Sequence, residues 1–216
     1  MEGFSYGLSK IDIRNNNLKI YAIMKKKGLI ITAVIVAVLV IWSISLYNGL
    51  VTKEEGVSQA WSQVENQYQR RYDLIPNLVN TVKGYAAHEK ETLDAVIAAR
   101  ANAAMRLDVE NLTPEQVAEF EKAQRELMKA TTSVFALAEA YPDLKANTNF
   151  RDLQAQIEGT ENRIAVARKD FNDAVKNYNL KIKRFPSNIF AGLFGFEKKA
   201  YFEIQQGVEA VPTVEF

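Results

Sequence analysis

The chain has 216 residues, a formal net charge of +1 and no cysteine. A net charge this close to zero argues against a nucleic-acid-binding protein, which needs a concentrated basic face. The lack of cysteine removes a common zinc ligand and is compatible with an oxidising compartment without requiring one. Only ten glycines and five prolines interrupt the chain, which favours long helices.

The first 23 residues show no clear hydrophobic period. Met24 and the lysines at positions 25–27 form a compact positive segment of the kind that precedes an apolar N-terminal segment. Two alternatives stay open: translation starts at Met24, or residues 1–23 form a short additional arm. We expect the N-terminal arm, residues 1–27 or only residues 24–27 if translation starts at Met24, to lie on the cytoplasmic side of the membrane.

Residues 28–47 are twenty consecutive positions without a charged side chain. As a helix, such a run can cross the hydrocarbon core of a bilayer, which is about 30 Å thick. It is longer than a signal-peptide core and no small-residue cleavage site follows it, which favours an uncleaved anchor. The alternative is a buried core helix, but the rest of the chain is too small and too amphipathic to surround it. The positions that mark the predicted span, with two interfacial aromatics at its far end, are Gly28, Ile35, Val40, Trp42 and Tyr47.

Basic residues are distributed unevenly about this span. Only Lys53 follows it closely, whereas six basic residues precede it: Lys10, Arg14, Lys19, Lys25, Lys26 and Lys27. Because basic residues are retained in the cytoplasm, we expect residues 51–216 on the other side of a bacterial inner membrane.

The rest of the chain carries three apolar seams at a spacing close to 3.5 residues. They start at Val57, Val117 and Phe150 and predict amphipathic helices of roughly 50, 27 and 36 residues. Helices of this kind bury their seams against one another, so the predicted fold is all-α, with an elongated antiparallel helical bundle after the transmembrane helix. We place the bundle at residues 48–185 and a C-terminal tail at residues 186–216.

Capping residues and prolines set the predicted helix ends. Thr113, followed by Pro114 and Gln116, has the pattern of a capping box that opens the second helix. Pro76 lies inside the first helix, where a proline removes one backbone hydrogen bond. With Asp73 as an N-cap, Pro76 would fall in a first turn, so we expect a kink or a brief break near residues 72–76.

Two stretches of this sequence resemble the LemA family of bacterial membrane proteins. Residues 60–79 contain the run Arg70-Arg71-Tyr72-Asp73-Leu74-Ile75-Pro76-Asn77, and residues 178–196 contain Phe185-Pro186-Ser187-Asn188 and Phe194-Gly195-Phe196. The similarity extends over about residues 24–216. It implies one N-terminal membrane helix and a soluble helical bundle, but no biochemical activity, because none is established for the family.

The charged cluster of Arg70, Arg71 and Asp73 lies beside the first seam. One interpretation is a docking site for a partner carboxylate or a lipid headgroup, since arginine makes bidentate contacts. The favoured interpretation is structural: Asp73 caps a helix and one arginine pairs with a glutamate of a neighbouring helix.

The first helix is predicted to be longer than its partners, which leaves an uncovered stretch of seam between about residues 51 and 71. Self-association would bury that stretch, so it is a candidate interaction surface together with the charged cluster. The alternative for Trp61 and Tyr68 is an ordinary core position, which is the commoner role of aromatics at helical spacing. The apolar members of the candidate surface are Val57, Trp61, Val64 and Tyr68.

No motif predicts catalysis, a metal or another cofactor. His88 is the single histidine, so the sequence lacks the ligands of common zinc and di-iron sites. Neither a G-x-S-x-G elbow nor a phosphate-binding glycine loop occurs. A site built from carboxylates alone on facing helices stays open as an alternative.

The tail contains many aromatic residues, and Ser187 is placed to cap a short helix that ends near Leu193. We favour a tail that packs on the bundle over a surface that meets the membrane or another copy. Residues 211–216 could also add as a strand to a peptide-binding domain. The aromatic residues are Phe185, Phe190, Phe194, Phe196, Tyr201 and Phe202.

Together these features predict a single-pass envelope protein with a noncatalytic scaffold or adaptor function. Its expected partners are the lipid bilayer and either further copies of the chain or other envelope proteins, with no nucleic acid and no small-molecule substrate. Two alternatives stay open: a carboxylate-based metal enzyme or enzyme subunit, and an envelope sensor that needs a separate output partner.

Overall fold

A computed structural model describes residues 3–109 and 112–202, with side chains from Met24 onward. In those ranges the backbone forms six helices and no strand, which confirms the predicted all-α fold with one apolar N-terminal helix followed by a helical bundle. Residues 1–49 and residues 50–216 form two separate units. The helices are α1 (Gly3–Lys83), α2 (Lys90–Ala103), α3 (Pro114–Ala140), α4 (Pro142–Ala146), α5 (Thr148–Lys183) and α6 (Ser187–Phe194).

The first unit consists of the N-terminal part of α1. Its apolar side chains are exposed over most of the predicted span, and none of the most apolar stretch is buried inside the protein. Among the described residues, α1 is the one helix that is long and apolar enough to cross a membrane. An exposed apolar surface of this length is stable in lipid and unfavourable in water.

The second unit packs α2, α3, α5 and the C-terminal part of α1 around two apolar clusters. In the first cluster the Trp61 ring of α1 lies 5.4 Å from the Phe171 ring of α5. The second cluster contains Leu78 of α1, Val96 of α2 and Val134 of α3, all fully or almost fully buried. Burial of these seams, which alternate at helical spacing, provides the main stabilising free energy of the bundle.

The predicted first helix of about 50 residues is wrong, because it is divided into α1 and α2. After α1 ends at Lys83, a turn follows in which the Ala86 amide donates to the Val82 carbonyl at 2.9 Å. The turn is held to the α3–α5 connection by two side-chain hydrogen bonds: Asn147 Nδ2 donates to Tyr85 Oη at 2.7 Å, and Tyr141 Oη donates to Glu89 Oε1 at 2.9 Å. The reversal allows α2 to pack its own apolar side chains as a further helix of the bundle.

Of the kink or brief break expected near residues 72–76, the break is absent, since α1 runs through Pro76 without interruption. Proline at position 76 leaves the carbonyl of Tyr72, four residues earlier, without its helical donor. Arg100 of α2 replaces that donor: its Nε donates to the Tyr72 carbonyl at 3.1 Å, and its guanidinium lies 3.6 Å from the centroid of the Tyr72 ring. A contact between helices therefore satisfies the backbone group that the proline leaves unpaired.

The predicted capping box at Thr113 is present, with the Gln116 amide donating to the Thr113 hydroxyl and Gln116 Oε1 accepting from the Thr113 amide. Asn147 caps α5, because its side chain accepts from the Phe150 amide at 2.9 Å. Sequence patterns gave no indication of α4, the five-residue helix between α3 and α5, which buries Leu144.

We predict that the Arg100 side chain and Pro76 are energetically coupled. Arg100→Met should destabilise the full-length protein in detergent micelles by about 1–3 kcal/mol, the usual loss for a backbone acceptor left unsatisfied. In the Pro76→Ala background the loss should be smaller, because the alanine restores a backbone amide that donates to the Tyr72 carbonyl. Denaturant unfolding followed by circular dichroism measures both values, with Arg151→Met on the exposed face of α5 as the control. Equal losses in the two backgrounds would contradict the coupling.

Candidate interaction site

The Arg71 side chain is the central polar group of the bundle, and it is only 2% exposed. Its Nη1 donates to Glu161 Oε2 of α5 at 2.6 Å, and its Nη2 donates to Gln124 Oε1 of α3. The Gln124 amide nitrogen in turn donates to the carbonyl of Ala103, the last residue of α2, at 2.9 Å. These contacts, which we call the Arg71 network, connect α1, α2, α3 and α5.

A second ion pair between helices, with a buried carboxylate, lies beside the Arg71 network. Glu121 of α3 is buried and accepts from Arg168 Nη2 of α5, while Arg125 Nη1 lies 3.6 Å from the other Glu121 oxygen. Tyr68 is packed nearby, with the Arg71 guanidinium 5.1 Å from its ring centroid. Burial raises the pKa of the Tyr68 hydroxyl, and the positive charges of Arg168 and Arg71 oppose that rise.

The charged cluster predicted from sequence is separated by the structure. Arg71 pairs with a glutamate of a neighbouring helix, as its structural interpretation expected, and Arg70 is exposed. Asp73 does not cap a helix, because it lies inside unbroken α1, where its Oδ1 accepts from Gln69 Nε2 at 2.7 Å. A solvent-accessible docking site therefore retains Arg70 and Asp73 but not Arg71.

The expectation of an uncovered seam between residues 51 and 71 is wrong. All four of its apolar residues are buried inside the chain, where α3, α5 and the C-terminal tail cover them. The helix that motivated the expectation ends at Lys83, and its part inside the bundle, residues 50–83, is about as long as α5. The buried residues are Val57, Trp61, Val64 and Tyr68.

Part of the cover is the C-terminal strap, which we define as residues 195–202. It begins at Gly195, whose φ of +77° ends α6 in the left-handed region that glycine tolerates. Asn179 of α5 exchanges two hydrogen bonds of 3.0 Å with the backbone of Lys199, and Asn172 exchanges two of 2.9 and 3.0 Å with the backbone of Phe202.

Two side chains of the strap contact the bundle. Phe202 is buried and its ring stacks on Trp61 at 5.8 Å between centroids. Lys199 Nζ lies 3.0 Å from Glu54 Oε1 of α1. The Glu54 carboxylate also accepts from Tyr178 Oη at 3.5 Å, and burial of Tyr178, with the negative charge of Glu54 beside it, raises the pKa of the Tyr178 hydroxyl. From the sequence, Asn179 belongs only to the stretch that resembles the LemA family and Asn172 carries no signal, although their seven-residue spacing places both on one face of α5.

A cleft of about 560 Å³ opens between α1, α3 and the segment of residues 104–107. Trp61, Tyr68 and Phe120 are among the residues that line its floor, and Glu65 and Arg106 stand among the polar residues around it. The Trp61 Nε1 atom is buried without a hydrogen-bond partner. This volume is within the range of pockets that bind a side chain or a small ligand.

His88 is exposed in the turn between α1 and α2. Across residues 24–109 and 112–202, no group of three or more histidine or acidic side chains is arranged to hold a metal ion. The strand predicted for residues 211–216 lies outside the described residues.

These features define a class: a helical bundle with buried inter-helix ion pairs, preceded by an apolar helix of membrane-spanning length. A sequence model of the LemA family matches residues 60–216, which is most of the chain, so the protein belongs to the LemA family. The family predicted from the Arg70–Asn77 run is thereby confirmed.

Three relatives illustrate the similarity. The magnetosome protein MamQ 2 of Paramagnetospirillum magneticum is 25% identical over 183 residues, which is 73% of this chain and 64% of that protein. MamQ of Magnetospirillum gryphiswaldense is 25% identical over 72% of this chain and 64% of that protein. Protein LemA of Metamycoplasma hominis is 23% identical over 74% of this chain and 69% of that protein. The chain spans less than two thirds of the length of the MamQ relatives.

Replacement of Arg71 tests the Arg71 network, and its neighbour Arg70 is the matched control. Arg71→Met should lower the free energy of unfolding by about 3 kcal/mol, because it leaves Gln124 and the partly buried Glu161 without their donor. Arg71→Lys should show an intermediate loss, since one ammonium group cannot reproduce the planar fork of donors. Arg70→Met should stay within about 0.5 kcal/mol of the parent. Equal effects of the two methionine variants in denaturant unfolding would contradict a structural role of Arg71.

The two asparagines should protect separate backbone amides of the strap. In Asn179→Ala the Lys199 amide loses its acceptor, and in Asn172→Ala the Phe202 amide loses its acceptor. We expect hydrogen exchange to accelerate first at the amide whose acceptor is removed. Exchange measured by mass spectrometry with electron-transfer fragmentation resolves the two positions. Unchanged exchange at both amides would contradict the strap geometry.

Proposed function

We propose that this protein is a noncatalytic adaptor of the bacterial inner membrane, anchored by the apolar part of α1. The bundle lies outside the cytoplasm and acts by binding other envelope proteins or further copies of the chain. Two observations together carry the proposal. An open cleft is lined by aromatic side chains, and the charged side chains between the helices are paired with one another.

The cleft has the arrangement of a protein-binding site. Apolar rings form part of its floor and polar side chains surround it, which is the distribution found in protein interfaces. Aromatic residues and arginine are the side chains that most often dominate binding free energy at such sites. Trp61 and Tyr68 are predicted from sequence as interaction residues. They would contact a partner through the floor of the cleft and not through an uncovered apolar seam.

The charge distribution about the span supports the orientation. Six basic residues precede it and one follows it closely, so the N-terminus is assigned to the cytoplasm. The bundle then has access to other envelope proteins.

The noncatalytic assignment is supported by the pairing of charges between helices. Arg71 pairs with Glu161, which is partly exposed, and Arg168 pairs with the buried Glu121. Both pairs favour a role in helix packing for these side chains. The competing hypothesis of a carboxylate-based metal enzyme predicts stoichiometric iron or manganese in the purified full-length protein. Elemental analysis that finds either metal at one or more equivalents would contradict the adaptor proposal.

Site-specific cross-linking in intact membranes tests the cleft as the binding site. A photo-reactive amino acid at Gln69, which lines the cleft, should produce discrete cross-linked species, whereas the same group at Val166, exposed on α5, should not. Adding Ala104→Trp to the Gln69 variant should fill the cleft and reduce those species about tenfold, the effect of losing roughly 1.4 kcal/mol of binding free energy.

The masses of the species separate the two classes of partner. Multiples of the 24.4 kDa chain indicate self-association, and other masses indicate a different envelope protein. Cross-linking that is absent from both positions, or that is insensitive to Ala104→Trp, would contradict the proposed site.

A further inference from the structure

Helix α6 presents an apolar face to solvent. Phe185, just before the helix, and Ile189 and Leu193 within it are spaced four residues apart, and they are 79%, 58% and 74% exposed. Ser187 and Ala191 occupy the opposite face and are buried against the bundle. No charged residue occurs within α6. We call Phe185, Ile189 and Leu193 the α6 apolar face.

The α6 apolar face is flanked mainly by basic side chains. Lys183 and Arg184 precede it and Lys198 follows it, all exposed, with Glu197 as the acidic neighbour. An amphipathic helix with a strongly apolar face and flanking cations is typical of segments that lie in the interface of an anionic bilayer. Each basic side chain near such a surface adds a favourable electrostatic contribution.

The position of α6 in the bundle is the second observation. Ala191 of α6 belongs to the same apolar cluster as Leu50 of α1, and the strap that follows α6 pairs Lys199 with Glu54. Leu50 follows Tyr47, the last residue of the predicted span, by three positions. Because Leu50 is the first residue of the bundle unit and Glu54 follows it closely, α6 and the strap lie at the end of the bundle where the chain enters it.

We propose that the α6 apolar face inserts into the headgroup region of the bilayer and forms a second membrane contact of the bundle. The three apolar side chains enter the boundary between headgroups and acyl chains, and Lys183, Arg184 and Lys198 contact anionic phosphates. A second copy is a poorer occupant, because a symmetric pairing of this face would bring its basic flanks together. The contact is independent of the cleft proposed as the protein-binding site, and each can fail without the other.

Depth-dependent fluorescence quenching tests the contact in the full-length chain. Because the sequence has no cysteine, Leu193→Cys gives a single attachment site for an environment-sensitive fluorophore. Val166→Cys, at an exposed apolar position in the middle of α5, is the matched control, and Ile189→Cys is a second test position. The labelled proteins are reconstituted into vesicles of phosphatidylcholine and phosphatidylglycerol that contain either shallow or deep brominated acyl chains.

The label at Leu193 should be quenched about twofold more by shallow than by deep bromines, as expected for insertion at the interface. The label at Val166 should be quenched by aqueous iodide and not by bromines. Replacing Arg184 and Lys198 with glutamate should weaken bromine quenching at both Leu193 and Ile189.

Three outcomes would overturn the proposal. Quenching of the Leu193 and Ile189 labels by iodide alone would mean that the face stays in water. Protection from both quenchers would mean that protein covers it. Protection lost on dilution into excess empty lipid would identify that protein as a second copy.

Discussion

The bundle depends on one guanidinium group placed where four helices meet. Removing Arg71 from water is unfavourable unless its charge and donors find partners. Glu161 supplies the opposite charge and Gln124 a second acceptor, while Gln124 also caps the last carbonyl of α2. A helix that slides or rotates breaks at least one of these contacts and leaves a buried polar group unsatisfied. The Arg71 network therefore selects one register among the several that apolar seams alone would allow.

An aromatic layer continues this organisation along the bundle. Trp61 packs against Phe171 and Phe202, and Arg168 links the layer to the polar groups by placing its guanidinium 4.7 Å from the Phe202 ring. Since Phe202 belongs to the strap, the aromatic layer is complete only when Asn172 and Asn179 hold the strap on α5. The buried charges and the stacked rings therefore stabilise the packing of the helices and the strap. The surfaces that remain accessible to a partner are the cleft, the exposed faces of the bundle and the apolar helix.

Much of the fold follows from the sequence because its signals are local. The apolar period located Val57, Val64 and Ile164 in the core, and the pattern around Thr113 gave a correct helix start.

The turn after Lys83 was missed because the apolar period continues on both sides of it, through Val82 and Leu93. Pro76 was misjudged because its compensating donor, Arg100, lies 24 positions away in the chain. The asparagine pair on α5 acquires its role only when the strap is present. The misses at Pro76 and at the asparagine pair concern polar contacts between distant segments, which no short window of sequence contains.

Native-state hydrogen exchange of the full-length chain in detergent micelles is the most direct measurement of the central claim. If the Arg71 network joins the four helices into one cooperative unit, the slowest amides of α2, α3, α5 and residues 50–83 should open with free energies within about 1 kcal/mol of one another. Opening of α2 by itself, at a free energy well below that of the other three helices, would contradict the account.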